Sequence, residues 1–467
     1  MKYKLGLIAA SMSALSLISC PTLAADTQAQ VRSVHHHRHI VSETTVVPHC
    51  KDQYKDVLPV AEVCPHVDMY DSMLDMMNHN VGRARPTIHC TDPLSLAGGI
   101  AFDSTWGSRN RAFSGENTAR FSLNDAYINA YGLVNDWTSA FASLSFSNFQ
   151  PYPGTTTLTG GTGPANSFLM NGVYSNSYVS NALQLEQGYI TFKNMNYFPI
   201  FLRVGKMFTD FNRYTIHPMS ESFTQVMSES LHTTAALGFM TAMGFNGSLY
   251  TFDNPMRKMN ANGSGVSHNQ NNWGGSINFN HPSDQLGFDA GAGYIFDFTG
   301  VDQVAYSVNQ FNGTSLNPTG FRGTYQNRVD AATLYADLNS GPFEIEARYV
   351  TALRRFNIMD MPTRTAAAIA AGGPALAAKP WSVDATAGYA FNSLGKNQNL
   401  YISYQASQNA VNMFLPRARW QFGYGLNLLK SVNLGLQWNH DYAYSATWGG
   451  TNKTSNAILG RIATQFG

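Results

Sequence analysis

Near the end of the chain stands the stretch Val432-Asn433-Leu434-Gly435-Leu436-Gln437-Trp438-Asn439-His440-Asp441-Tyr442. Val432, Leu434, Leu436, Trp438 and Tyr442 fall on one parity, and Asn433, Gly435, Gln437, Asn439 and Asp441 on the other. Successive side chains of an extended strand point to opposite sides, so this is a strand with one apolar and one wet face. The pattern recurs where Leu286, Phe288, Ala290, Ala292, Tyr294, Phe296 and Phe298 oppose Gln285, Gly287, Asp289, Gly291, Gly293 and Asp297. It recurs again where Trp381, Val383, Ala385, Ala387, Tyr389 and Phe391 oppose Ser382, Asp384 and Thr386.

Working outward, segments of this kind start near Leu94, Arg120, Thr138, Leu183, Ile200, Thr234, Phe245, Asn272, Leu286, Val329, Phe343, Trp381, Leu400, Trp420, Val432 and Ala457. Alternation alone also suits a soluble sandwich, so the connections decide. Every second one is short, as at Gly132 to Trp137, Met243 to Gly244 and Leu429 to Ser431. The others are long, as at Gln150 to Asn181, Thr209 to His232 and Gly300 to Gln326. Sorting of this kind is what an outer-membrane barrel requires, with periplasmic turns at one rim and external loops at the other. The expected fold is therefore all-β: a transmembrane antiparallel β-barrel of about 16 strands over 91–467, preceded by a small periplasmic segment. Trp137, Trp273, Trp381 and Trp420 stand near strand ends, where aromatic rings favour the lipid headgroup zone. The chain closes with Ile458, Gly460, Ile462, Thr464 and Phe466 on one parity, a late aromatic strand resembling the signal read by barrel assembly machinery.

Composition agrees. Charged residues make up 13% of the chain, against roughly 25% in soluble domains, while 12% are aromatic and 40 residues are glycine. The 30 Lys and Arg nearly cancel the 29 Asp and Glu, leaving +1, so nucleic acid is not an expected partner; outer-membrane lipid is. A spanning helix needs about 20 apolar residues, and only the N-terminus approaches this. Met1 to Lys4 is basic, Leu5 to Ser19 apolar, and Thr22-Leu23-Ala24 small, which reads as a signal peptide over 1–24. A competing reading takes Leu17-Ile18-Ser19-Cys20 as a lipoprotein box that leaves Cys20 lipidated.

Residues 25–90 form a distinct His- and Cys-rich segment. Cys50, Cys64 and Cys90 lie here, and an oxidising location favours pairing of two of them, with Cys50 to Cys64 the shortest loop. His35, His36, His37 and His39 are the candidate metal ligands, in competition with a tract that binds metal only incidentally. Met69, Met73, Met76 and Met77 share a helical stripe that reads more readily as packing than as a soft-metal site.

A barrel of this size encloses an aqueous lumen, and strand parity turns Glu186, Arg203, Asp289, Asp297, Glu344, Glu346, Arg348, Asp384, Arg417 and Arg419 inward. One reading is a polar wall whose charges satisfy one another; the other is a selective binding surface. No plug is expected, because the residues before the barrel are too few for one. Catalysis finds no support: there is no nucleophile elbow, HExxH helix or phosphate-binding glycine loop, and no cofactor is expected.

From about Leu94 to Phe466 the chain resembles the LbtU-type siderophore porins. The residues that carry this are Val204-Gly205-Lys206-Met207-Phe208, Phe211, Arg213-Tyr214, His217-Pro218, Ser220, Thr224-Gln225-Val226, Ser228-Glu229, Thr234-Ala235-Ala236 and Gly238-Phe239. Arg348 to Leu353, Lys379-Pro380-Trp381, Gly423-Tyr424-Gly425 and Asn433 to Trp438 add to it. The resemblance implies an unplugged outer-membrane barrel that takes up iron as a ferric siderophore, the expected partner. A general diffusion porin, a ferrous iron channel and a structural or adhesive barrel are the alternatives. Within the block, Lys206, Arg213 and His217 are candidate donors to siderophore carboxylates, against a reading in which this loop clamps the wall.

Overall fold

The computed structural model describes residues 94–466, apart from 109–117, 136, 147–182, 195–196, 215–217, 242, 255, 260–270, 282, 284–285 and 312–322. The strands in chain order begin with β1 (Leu94–Ser108), β2 (Thr118–Asn135), β3 (Thr138–Phe146), β4 (Leu183–Asn194), β5 (Phe198–Phe208) and β6 (Leu231–Met240). There follow β7 (Phe245–Asp253), β8 (Arg257–Lys258), β9 (Asn271–His281), β10 (Gly287–Ile295), β11 (Thr324–Tyr325) and β12 (Ala331–Ser340). The last are β13 (Phe343–Ala352), β14 (Trp381–Ser393), β15 (Lys396–Gln408), β16 (Ala418–Leu429), β17 (Val432–Tyr442) and β18 (Thr454–Phe466). All but β8 and β11, which pair with each other, form one closed antiparallel barrel. The seam is β1 on β18, from Gly98 opposite Phe466 to Ser108 opposite Asn456, so no edge is left unpaired.

Sixteen strands start within a few residues of the expected positions, because period-two alternation is imposed by lipid on one side and water on the other. Leu436, Ile402, Ile345 and Ile458 are exposed on the outer face, while Gln437, Ser403, Glu346 and Leu459 are buried on the inner one. The short turns share a rim with Leu94 and Phe466. At the opposite, external rim, ring pairs Tyr404–Trp420 (4.7 Å) and Phe422–Trp438 (5.4 Å) form part of an outward aromatic girdle. Between β14 and β15 the chain reverses in two residues, Leu394 and Gly395, both at positive φ (54° and 67°), as a tight hairpin with the right twist demands.

The expected strand through Phe298 stops early. Asp297 accepts from the Thr299 N–H at 3.1 Å and caps a 3-10 turn, Phe298–Gly300, after β10 has ended at Ile295. Phe298 therefore turns into the interior and is fully buried, rather than facing lipid. A cluster of buried apolar side chains forms there from four loops: Phe211, Phe223 and Met227; Phe298, Val301, Val304 and Val308; Phe356 and Met361; Met413 and Leu415. The helix α2 (Asp302–Phe311), which follows the shorter α1 (Phe223–Val226), supplies Val304 and Val308 at helical spacing.

Two consequences are measurable. The folded protein should migrate heat-modifiably and show a strand-dominated spectrum. Leu436→Arg, which places a cation on the lipid face near mid-strand, should cost about 2–4 kcal/mol in unfolding from bilayers.

Candidate functional site

The segment 209–230 joins β5 to β6, but it does not lie outside the barrel: most of its described residues are buried. Its base is closed by the Thr209 N–H donating to the Ser230 carbonyl at 2.9 Å. Asp210 then accepts from the Ser248 hydroxyl of β7 at 2.7 Å, and the Phe211 carbonyl accepts from the Thr333 hydroxyl of β12. This approach needs a bare backbone opposite, because a Cβ on Gly293 of β10 would sit 2.0 Å from the Phe211 oxygen.

Charged groups of the wall hold the next stretch. Arg213 pairs with Asp289 of β10, and its guanidinium stands 5.3 Å from the centre of the Tyr335 ring. Arg348 of β13 is almost completely buried and binds Asp337 of β12 with two hydrogen bonds, the longer 2.9 Å. From that fixed position it also donates to the carbonyls of Arg213 (2.9 Å) and Tyr214 (3.2 Å). One guanidinium thus ties a wall carboxylate to two consecutive loop carbonyls, which its planar fork of donors allows and an ammonium would not.

Further along, the loop meets β14 to β18. The Met219 N–H donates to Gln437 Oε1 (2.6 Å), and its carbonyl accepts from Arg461 (3.1 Å). The Ser220 hydroxyl accepts amide hydrogens from both Gln421 and Gln437, each at 2.7 Å. The Phe223 N–H reaches Gln405 Oε1 (3.3 Å), and Thr224 donates its N–H (3.1 Å) and hydroxyl to Asp384. Ser222 caps α1 through the Gln225 N–H at 3.2 Å, which turns the chain back toward β6. Segment 209–230 is therefore a strap across the lumen, anchored on β7, on β10, β12 and β13, and on β14 to β18.

Of the expected inward residues, the strap engages Asp289, Arg348 and Asp384 directly, the first through the candidate donor Arg213. Arg419 lies beside it, 5.1 Å from the Phe223 ring, and is neutralised by Asp441 through two bonds of 2.6 and 2.9 Å. Glu344 and Glu346 are buried on β13, and Glu186 and Arg203 on β4 and β5. Glu186 accepts from Ser143 at 3.4 Å, and Arg203 donates to Thr191 at 3.4 Å.

Two expectations are corrected. Lys206 is registered opposite Gly188 and Thr233 on the outer face of β5, the parity opposite to Arg203, and its ammonium donates to the Leu185 carbonyl at 2.9 Å. Arg417 precedes β16 by one residue and is exposed at the rim, because strand parity no longer governs a residue beyond the strand. His217, the histidines 35–37 and 39, and Cys50 and Cys64 lie outside the described residues. Missed from sequence were Asp337, Arg461 with its partner Asp103, and the amides Gln405 and Gln421. Each sits on the inward parity, which was the available signal.

The strap carries buried acids. Burial, and then the charge of Glu229, push the Glu221 carboxyl well above the usual carboxylate range. Among the described residues neither of its oxygens has a hydrogen-bond partner. Burial also raises Asp210 and Asp302, and raises the Tyr214 phenol, with Glu229, Asp302 and Glu221 adding to the last.

No family model matches the chain. It is similar to a UPF0422 protein of Coxiella burnetii (strain RSA 493 / Nine Mile phase I), 22% identical over 370 residues, which are 78% of this chain and 68% of that one. A UPF0422 protein of Legionella pneumophila (strain Philadelphia 1) is 19% identical over 274 residues, 57% of this chain. The chain spans about half the length of the Legionella relative, 48%. Among solved structures, Pseudomonas putida OprB matches with a TM-score of 0.50 at 10% identity, over 79% of this chain and 94% of that one. The outer membrane channel DcaP of Acinetobacter baumannii matches at 0.48 and 10%, over 80% and 97%. The protein is a bacterial outer-membrane β-barrel with a porin-like fold.

Arg348→Ala leaves Asp337 buried without its partner and frees two loop carbonyls. It should lower stability by about 3–5 kcal/mol and raise single-channel conductance in planar bilayers. The pH dependence follows from Glu221. Its carboxyl is raised in the folded state, so the stability it confers is full below its unfolded pKa of about 4.3 and is lost as pH rises through the raised folded value. Unfolding midpoints should therefore fall on alkalinisation, and Glu221→Gln should flatten that part of the profile.

Proposed function

We propose that the protein is a channel that admits a solute across the outer membrane through a lumen narrowed by the 209–230 strap. The observation that carries this reading is the anchorage of the strap to the inner wall by Arg348, Asp384 and the Gln421–Gln437 amides. A barrel needs no such loop to close, so polar groups spent on holding it in the lumen point to control of passage. The reading assigns no catalytic residue. In planar bilayers the protein should give steady, small conductance steps. A folded barrel that conducts nothing would favour the structural or adhesive alternative.

A second reading narrows the cargo to ferric siderophore. It is favoured by one observation: the residues that resemble the LbtU-type siderophore porins, from Val204 to Phe239, contain the whole strap. Arg213 lies near the start of the strap, and a siderophore carboxylate would have to exchange for Asp289 to gain the guanidinium. Arg213→Ala should therefore lower uptake of ferric siderophore several-fold in cells lacking the native gene, with radiolabelled iron as the readout. Unchanged uptake combined with increased conductance would leave Arg213 a clamp residue only. Uptake of ferrous iron without siderophore would favour the free-ion alternative.

A further inference from the structure

Between the strap and the short-turn rim, the lumen holds an open recess of about 240 Å³. Met219 forms its ceiling, and its wall comes from the periplasmic ends of β15 to β18. Asn397, Asn399, Asn427 and Asn433 line it beside Tyr401, all on inward parity. Glycine makes the room. A Cβ on Gly425 would lie 2.1 Å from Asn399 Oδ1, and one on Gly435 would lie 2.4 Å from the Met219 sulfur.

The electrostatics of this space are neutral. Arg461 lines it, but its guanidinium is matched by Asp103 through bonds of 2.7 and 2.8 Å across the barrel seam. Among the described residues no carboxylate lines it. An ion entering here would lose hydration without meeting an opposite charge, which disfavours ionic cargo. Carboxamides both donate and accept, so they suit hydroxyl groups, which do the same. Among the described residues Asn399 Oδ1 has no hydrogen-bond partner where it lies buried over Gly425, so rotating its carboxamide toward a ligand hydroxyl would give this acceptor a donor. The thioether of Met219 offers a soft apolar surface, as the C–H face of a sugar ring requires. The volume is below the roughly 300–1,000 Å³ of drug-sized sites, which limits the occupant to about one ring.

We infer that this recess is a resting site for a neutral, polyhydroxylated solute, one sugar ring of a saccharide at a time. The inference rests on the channel reading for access to the recess. The test uses the full protein, with maltotriose as probe and citrate as the charged control, in two measurements: block of bilayer conductance with probe on both sides, and equilibrium dialysis against protein in detergent. Maltotriose should block and bind saturably, citrate should not, and Asn399→Ala and Asn433→Ala should each weaken both effects about tenfold while the barrel remains heat-modifiable. Conductance with no maltotriose block or binding would overturn the site and leave the channel reading standing. Binding without conductance would support the site and remove the channel reading. Equal effects of citrate, or block and binding unchanged in both variants, would overturn the inference.

Discussion

Arg348 is the group on which the lumen depends. A guanidinium buried in the wall is costly unless its charge is matched and its donors are used, and here Asp337 does the first while the Arg213 and Tyr214 carbonyls help with the second. The strap is thus part of what makes the buried charge tolerable, and the charge is part of what holds the strap. Arg213–Asp289, Arg419–Asp441 and Arg461–Asp103 repeat the device, so much of the inner wall's charge is internally matched.

The consequence is a lumen with two characters. Toward the external side, loops from 209–230, 296–330, 353–380 and 409–417 bring together an apolar cluster that excludes water. Toward the periplasm, the space below Met219 is lined by amides and a phenol. Packed apolar side chains fill the first half, and hydrogen-bonding groups line the second. The low charge content of the chain fits this division, since most inward positions carry Ser, Thr, Asn, Gln or Gly rather than ions.

The wall was legible in the sequence because lipid and water impose one pattern on every strand, and a two-residue period survives substitution of any single side chain. Gln437, Asp384 and Arg348 were assigned inward on that basis alone. The strap was legible only as a block with an unsettled place, in an external loop or folded into the mouth, because loop residues such as Phe211 and Met219 have no period to read. Lys206 and Arg417 show the limit from two sides: one keeps strand parity but on the outer face, and the other stands just past the strand, where parity lapses. Phe298 failed for a related reason, since Asp297 reads as one more inward polar residue until its capping bond to Thr299 is seen.

The central claim is that segment 209–230 crosses the lumen and is fastened to its wall. Thr224 and Asp384 hydrogen-bond in the native protein, so Thr224→Cys and Asp384→Cys, combined in a background without the native cysteines, place two thiols side by side. A bifunctional thiol reagent that fluoresces only when both arms have reacted should bridge them in isolated outer membranes. Failure to bridge, together with labelling of position 224 from outside intact cells by a bulky impermeant reagent, would put the segment outside the barrel and contradict the account.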